Sequence, residues 1–231
     1  MRLVLLIVLL LCPLTSMAEM RCGTLGHSII RFDSKYTFLP ESYEGVSYWG
    51  GEGWKNRTKG CLDRLASVTF AVDWPSLESS RNGTYFTNSS PDRIAFTYEP
   101  NASADPAWSL QHILSGRLSD DVGEPTKRLA ELRQLATFNS DLGLYAIRMP
   151  QRAPHHFLEG YWEESGDSNI RTIISCRRYT TKASSSCVQD FVDIERGIWI
   201  QIDFYFDRLP DWQAMRGRSI DFLKQFVVKE I

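Results

Sequence analysis

Residues 197–206 alternate without a break: Ile198, Ile200, Ile202, Phe204 and Phe206 fall on one face, Trp199, Gln201, Asp203 and Tyr205 on the other. A period of two this clean predicts a strand with one apolar and one wetter face. Glu195, Arg196 and Gly197 make a turn that lets residues 187–194 pair with it as a hairpin. After Leu209, Pro210 and Asp211 the period changes. Trp212, Met215, Phe222, Leu223 and Phe226 recur at helical spacing, with Asp211 at the start and Lys224 and Lys229 near the end, where the helix dipole favours each charge. An apolar sheet face followed by an amphipathic helix predicts that the helix covers the sheet. No residue in this block has the character of a nucleophile, a metal cluster or a phosphate loop.

At the other end, Met1 and Arg2 precede the run L-V-L-L-I-V-L-L-L, then Pro13 and Ser16, Met17, Ala18. A basic start, a short apolar run and small residues at −3 and −1 predict a signal peptide, 1–18, cut after Ala18. The run is shorter than the roughly 20 apolar residues that span a bilayer. Lipidation at Cys12 is the competing expectation, but Leu10 and Leu11 are bulkier than such a site prefers. Removing the leader takes Arg2 from the 26 Lys+Arg and none of the 28 Asp+Glu, which leaves a net charge of −3. That weakly acidic balance has no electrostatic footprint for nucleic acid, and no later stretch could cross a membrane.

Cys22, Cys61, Cys176 and Cys187 remain after cleavage. An even count in an exported chain argues for two disulfides, among three connectivities. Proximity favours Cys22–Cys61 and Cys176–Cys187. Zinc is the competing reading, and neither a CxxC pair nor a nearby histidine supports it.

Residues 36–60 are rich in aromatics and glycine without a period and predict an irregular region with one short strand. Residues 67–73 alternate and stop at Trp74 and Pro75; 76–90 are turn-rich; 93–98 are the next strand. Residues 107–118 and 126–135 have helical character, with a linker at 120–125 between them. Residues 142–149, 157–163 and 169–179 alternate, the last two joined by a strong hairpin turn at 164–168. The expected architecture is α+β: an antiparallel sheet covered by a C-terminal amphipathic helix, in two lobes, 19–123 and 124–231.

His155 and His156 with Glu159 could ligate a metal, but neighbours on a strand point to opposite faces, so the rings diverge. His27 and Ser28 are adjacent, and no G-x-S-x-G elbow, H-E-x-x-H, G-x-G-x-x-G or P-loop occurs. Asn56, Asn82, Asn88 and Asn101 each head an N-x-S/T triplet; they are consistent with a glycosylated ectodomain and with composition alone. A sharper feature is the stretch from Glu159 to Asp167, where Tyr161 and Trp162 sit among the carboxylates of Glu163, Glu164 and Asp167. An interface uses aromatics as anchors and acids to steer a basic partner. The same residues also suit an ordinary solvated hairpin end with one aromatic in the core.

The chain resembles periplasmic immunity proteins that protect bacteria from their own type VI secretion effectors, in particular those paired with phospholipases. The likeness runs through V-T-F-A-V-D-W-P-S-L at 68–77, D-L-G-L-Y-A-I-R-M-P at 141–150, I-S-C-R-R-Y at 174–179, I-D-F-Y-F-D-R-L-P-D-W at 202–212 and the final helix. It implies a non-catalytic, cofactor-free periplasmic protein whose partner is a cognate secreted effector, a lipase or a peptidase. Tyr161, Trp162, Glu163, Glu164 and Asp167, helped by Tyr48, Trp49 and Trp54, are the expected contact residues. A secreted hydrolase or carbohydrate-active protein, and a glycosylated extracellular domain, are the alternatives.

Overall fold

The computed structural model describes residues 19–46, 59–80, 90, 92–101, 103, 105–118, 125–149, 156–179 and 185–231. In chain order these form β1 (Met20–Leu25), β2 (Ser28–Asp33), β3 (Ser42–Tyr43), β4 (Leu65–Asp73), β5 (Glu78–Ser79), β6 (Arg93–Pro100), α1 (Pro106–Leu118) and α2 (Pro125–Leu135). There follow β7 (Thr137–Asn139), β8 (Leu144–Arg148), β9 (His156–Glu164), β10 (Ile170–Tyr179), β11 (Ser186–Asp193), β12 (Ile198–Tyr205), α3 (Trp212–Lys224) and β13 (Val227–Glu230). The fold is α+β, as the sequence leads one to expect.

Among the described residues one ten-stranded antiparallel sheet runs in the order β3-β4-β6-β12-β11-β10-β9-β8-β7, with β5 on the edge of β4. The β11–β12 hairpin sits near its middle, in the register Val192↔Trp199 to Ser186↔Tyr205. On its other side β12 pairs with β6, Ile202 opposite Phe96. Residues from both sides of position 123 therefore share one hydrogen-bonded sheet.

Each face of the sheet carries its own core. On the first, Ile198, Ile200, Ile202 and Phe204 meet Phe70, Phe96 and Tyr98 under α3 and a three-stranded sheet of β1, β2 and β13. Phe222 of α3 lies 5.7 Å from both Phe70 and Phe96, ring to ring, and the Tyr98 hydroxyl donates to the Ser219 carbonyl at 2.8 Å. Phe32 of β2 packs edge-on against Phe70 at 5.2 Å. On the second face, Leu110, Leu114 and Leu118 of α1 and Leu129 and Leu132 of α2 cover Ile147, Trp162, Ile170 and Ile173. Gly160 lets α1 come this close, because a Cβ there would lie 2.4 Å from a methyl of Leu118.

The C-terminal helix is shorter than its apolar spacing suggests. It ends at Lys224, and Phe226 joins the aromatic cluster from the turn beyond, stacked on Phe70 at 5.3 Å. Val227 and Val228 then leave the helix, since β-branched residues prefer an extended backbone and β2 offers an edge to pair with. Lys229 is thus a strand residue, not a helix-dipole partner.

Candidate partner-binding surface

The residues singled out in the sequence lie apart from one another. Tyr48, Trp49 and Trp54 fall outside the described residues, as do Cys12, His155 and the sequon asparagines Asn56, Asn82 and Asn88. Tyr161 and Trp162 do turn to opposite faces of β9, but both faces are covered there. Tyr161 is 8% exposed in the first core and Trp162 is 0% exposed in the second. Trp162 stacks on Tyr145, 5.7 Å away and 19° from parallel, and its indole N–H donates to Glu164 Oε1 at 2.8 Å. The Tyr161 hydroxyl donates to Glu159 Oε2 at 2.9 Å, and burial followed by the nearby Glu159 charge pushes its pKa well up. These rings are structural aromatics, not an exposed tip.

The acids beside them are engaged as well. Glu163 accepts from Arg216 of α3 at 2.6 Å on one face, and Glu164 accepts from Arg133 of α2 at 2.8 Å on the other. One strand end is therefore tied to the helix on each side of the sheet. Asp167 sits in the turn beyond, fully exposed, where bonds from the Ser165 hydroxyl and from Asn169 hold its pKa down.

His27 and Ser28 do not act on each other. His27 Nδ1 lies 3.3 Å from the Glu195 carbonyl, and the Ser28 hydroxyl donates to Glu230 at 2.5 Å. Among the described residues no group of three or more His, Cys, Asp or Glu side chains could hold a metal ion. Cys22 is bonded to Cys61, and Cys176 to Cys187 across the β10–β11 pair, where the two stand directly opposite each other.

The electrostatics concentrate elsewhere, on the second face beyond α1. No described helix lies across that face of β12 and β6. It carries Trp199, Gln201, Asp203 and Tyr205 of β12, with Asp190 of β11 opposite Gln201 and Glu99 of β6 opposite Trp199. Arg117, in the last turn of α1, reaches over β11. Both its terminal nitrogens donate to Asp190, and one also donates to Ser175 at 3.1 Å. Asp190 also accepts from the Trp199 indole N–H at 3.2 Å. A hollow of about 400 Å³ opens beside this ion pair, lined by Arg117, Arg177, Leu158, Ser175, Val188 and Gln201.

Two of these carboxylates, Asp190 and Asp203, feel the charge of the Arg117 guanidinium. Asp190, 1% exposed, takes it; Asp203 accepts only the neutral amide of Gln201, at 3.0 Å. Burial raises the pKa of Asp190 against the pull of Arg117. Burial raises those of Asp203 and Glu99 as well, and the Asp190 charge adds to both. Each group holds its proton more tightly folded than unfolded. Stability from these sites is therefore greatest below the unfolded carboxylate pKa, about 4, and declines as pH rises through the folded values. Asp203→Asn should consequently raise the melting temperature at pH 7 and change it less at pH 4. An unchanged or lower melt at pH 7 would show that the buried charge is already neutralised.

The strand alternation made this wetter face visible, as Trp199, Gln201, Asp203 and Tyr205. It did not reveal the partners brought by pairing β6 with β12 or by the end of α1.

Comparison with solved structures adds to this geometry. Smlt3025, an immunity protein of the Stenotrophomonas maltophilia type IV secretion system, superposes with a TM-score of 0.59 at 19% identity, over 92% of this chain and 94% of its own. The two chains share one fold. FrpD, an iron-regulated outer membrane lipoprotein of Neisseria meningitidis, matches at a TM-score of 0.46 and 10% identity, over 91% of this chain and 93% of its own. No protein-family model matches the chain, and no curated protein does. Among the described residues no helix is long and apolar enough to cross a membrane.

Proposed function

We propose that this chain is an immunity protein, exported to the periplasm, which binds a toxin carried by a secretion system and blocks it without catalysing a reaction. The observation that carries this reading is the fold shared over nine-tenths of the chain with a protein of that kind. Two disulfides agree with an oxidising compartment. The solved relative serves a type IV system; assignment to a type VI system and to a phospholipase or peptidase effector rests on the sequence resemblance. Asp167 in its exposed turn, and Tyr48, Trp49 and Trp54, are proposed as peripheral contacts. Tyr161 and Trp162 serve as the internal support of the strand that carries that turn.

The test is protection of cells that express, in their periplasm, the toxin encoded beside this chain's gene. The full chain should protect, and deletion of residues 2–18 should abolish protection. Full protection by the truncated form would overturn the assigned compartment; no protection by the full chain would overturn the function.

A further inference from the structure

The second face of β6, β12 and β11 has three features that belong together. Beyond Arg117, which reaches over β11, and Trp199, which packs at the edge of the α1 core, no described helix crosses β6 and β12, unlike the first face, which α3 covers, and unlike β9 and β10, which α1 covers. Its exposed and half-buried residues mix large and small groups, Trp199 and Tyr205 with Thr97, Gln201 and Val188, as protein interfaces do. Its charges are unequally paired: Arg117 is spent on Asp190, Asp203 has the neutral amide of Gln201, Glu99 is exposed opposite Trp199, and Arg177 lies at the far side of the hollow.

Resting on the immunity reading, we propose that this face is where the toxin docks, through a segment that presents basic side chains to Asp203 and to Glu99, four register positions apart, and an apolar side chain to the hollow beside Arg117. The direction of complementarity follows from charge. A mostly buried carboxylate with a neutral partner gains most from a cation that arrives as water leaves, whereas an anionic segment would meet two unneutralised acids. The hollow is the concave element that an apolar neighbour would fill. The weakly acidic chain as a whole favours the same partner during approach. The arrangement also explains why the chain keeps charges at sites where burial disfavours them: a group that destabilises the free protein is retained where it is used on binding.

The experiment measures the affinity of the purified neighbouring toxin for the full mature chain by titration calorimetry at low and at high salt. The variants are Glu99→Gln with Asp203→Asn, and, separately, Thr97→Arg, which leaves every carboxylate in place and sets a cation in the middle of the face. Each should weaken binding by about thirtyfold or more, the loss typical of an interface anchor, and the first should flatten the salt dependence. Asp221→Asn, on an exposed position elsewhere, should change affinity by no more than about twofold. Thermal melts accompany each variant, and the Glu99/Asp203 double variant should melt at or above the wild type.

Wild-type affinity in both face variants would overturn the proposal while leaving the immunity reading in place. So would a face variant that alters the oligomeric state of the chain without toxin, which would make the face a contact between copies. Failure of the wild-type chain itself to bind would remove the immunity reading and this surface together.

Discussion

Trp162→Ala is expected to lower stability by about 3–5 kcal/mol, the range for deleting a buried tryptophan side chain. For a chain of this size that corresponds to a fall in melting temperature on the order of 10 °C. The side chain is fully buried between α1, α2 and the sheet, and its loss would leave a cavity lined by Leu118, Ile147 and Ile173 while removing the stack on Tyr145. Glu164 would lose its indole donor but keep Arg133. Trp162→Phe should recover most of the stability, since it restores apolar volume and forgoes one hydrogen bond. A residue that served as an exposed binding anchor would behave in the opposite way, losing affinity with an unchanged melt. Thermal unfolding of the two variants separates these cases, and a wild-type melt for Trp162→Ala would contradict its place in the core.

Cys187→Ser is the second large effect. The bond to Cys176 closes a loop with a sequence separation of 11 between two central strands, and the chain-entropy relation makes such a bridge worth about 3 kcal/mol, within a usual range of 2–5. The double variant Cys176→Ser/Cys187→Ser should match the single one, because both lack the same constraint on the unfolded chain. Loss of Cys22–Cys61 should act more locally. It ties β1 to residues 61–63, which β1 also meets through Thr24, whose N–H donates to the Asp63 carbonyl at 2.8 Å and whose hydroxyl donates to that of Cys61 at 3.2 Å. Denaturant melts with and without reductant test this. Reductant opens both bridges, so it should bring the wild type to or below the level of the Cys187 variants and lower the double variant only by the smaller contribution of Cys22–Cys61.

What could be read from the sequence follows the strength of its periodicity. The β11–β12 hairpin and α3 were legible because Ile198 to Phe204 alternate over a full strand, and Trp212 to Leu223 repeat at helical spacing. α1, α2 and the β9–β10 hairpin were legible for the same reason. β13 was not: Val227 and Val228 directly follow Phe226 and extend the apolar pattern of the helix, and pairing with β2 turns them into a strand. β7, with three residues, is too short to show a period at all. Nor could spacing show that β6 lies against β12, which makes one sheet of two chain segments some hundred residues apart.

The binding surface was harder to see for a related reason. Tyr161 and Trp162 looked like a greasy tip because sequence shows two adjacent aromatics beside acids, and whether both strand faces are covered is a tertiary matter. The acids Glu163 and Glu164 looked free for the same reason, although Arg216 and Arg133 meet them from helices 53 and 31 residues away in sequence. Conversely, Asp190 and Asp203 read as ordinary polar positions of two strands. Their distinction comes from burial and from sharing Arg117, neither of which is local.

The most direct test of toxin inhibition is titration of the purified mature chain into the purified toxin encoded beside its gene, with the toxin's hydrolytic activity as the readout. An immunity protein should remove that activity at an equimolar ratio and form a stable complex, while showing no hydrolysis of the same substrate itself. Full toxin activity in a large excess of folded chain would contradict the proposed function.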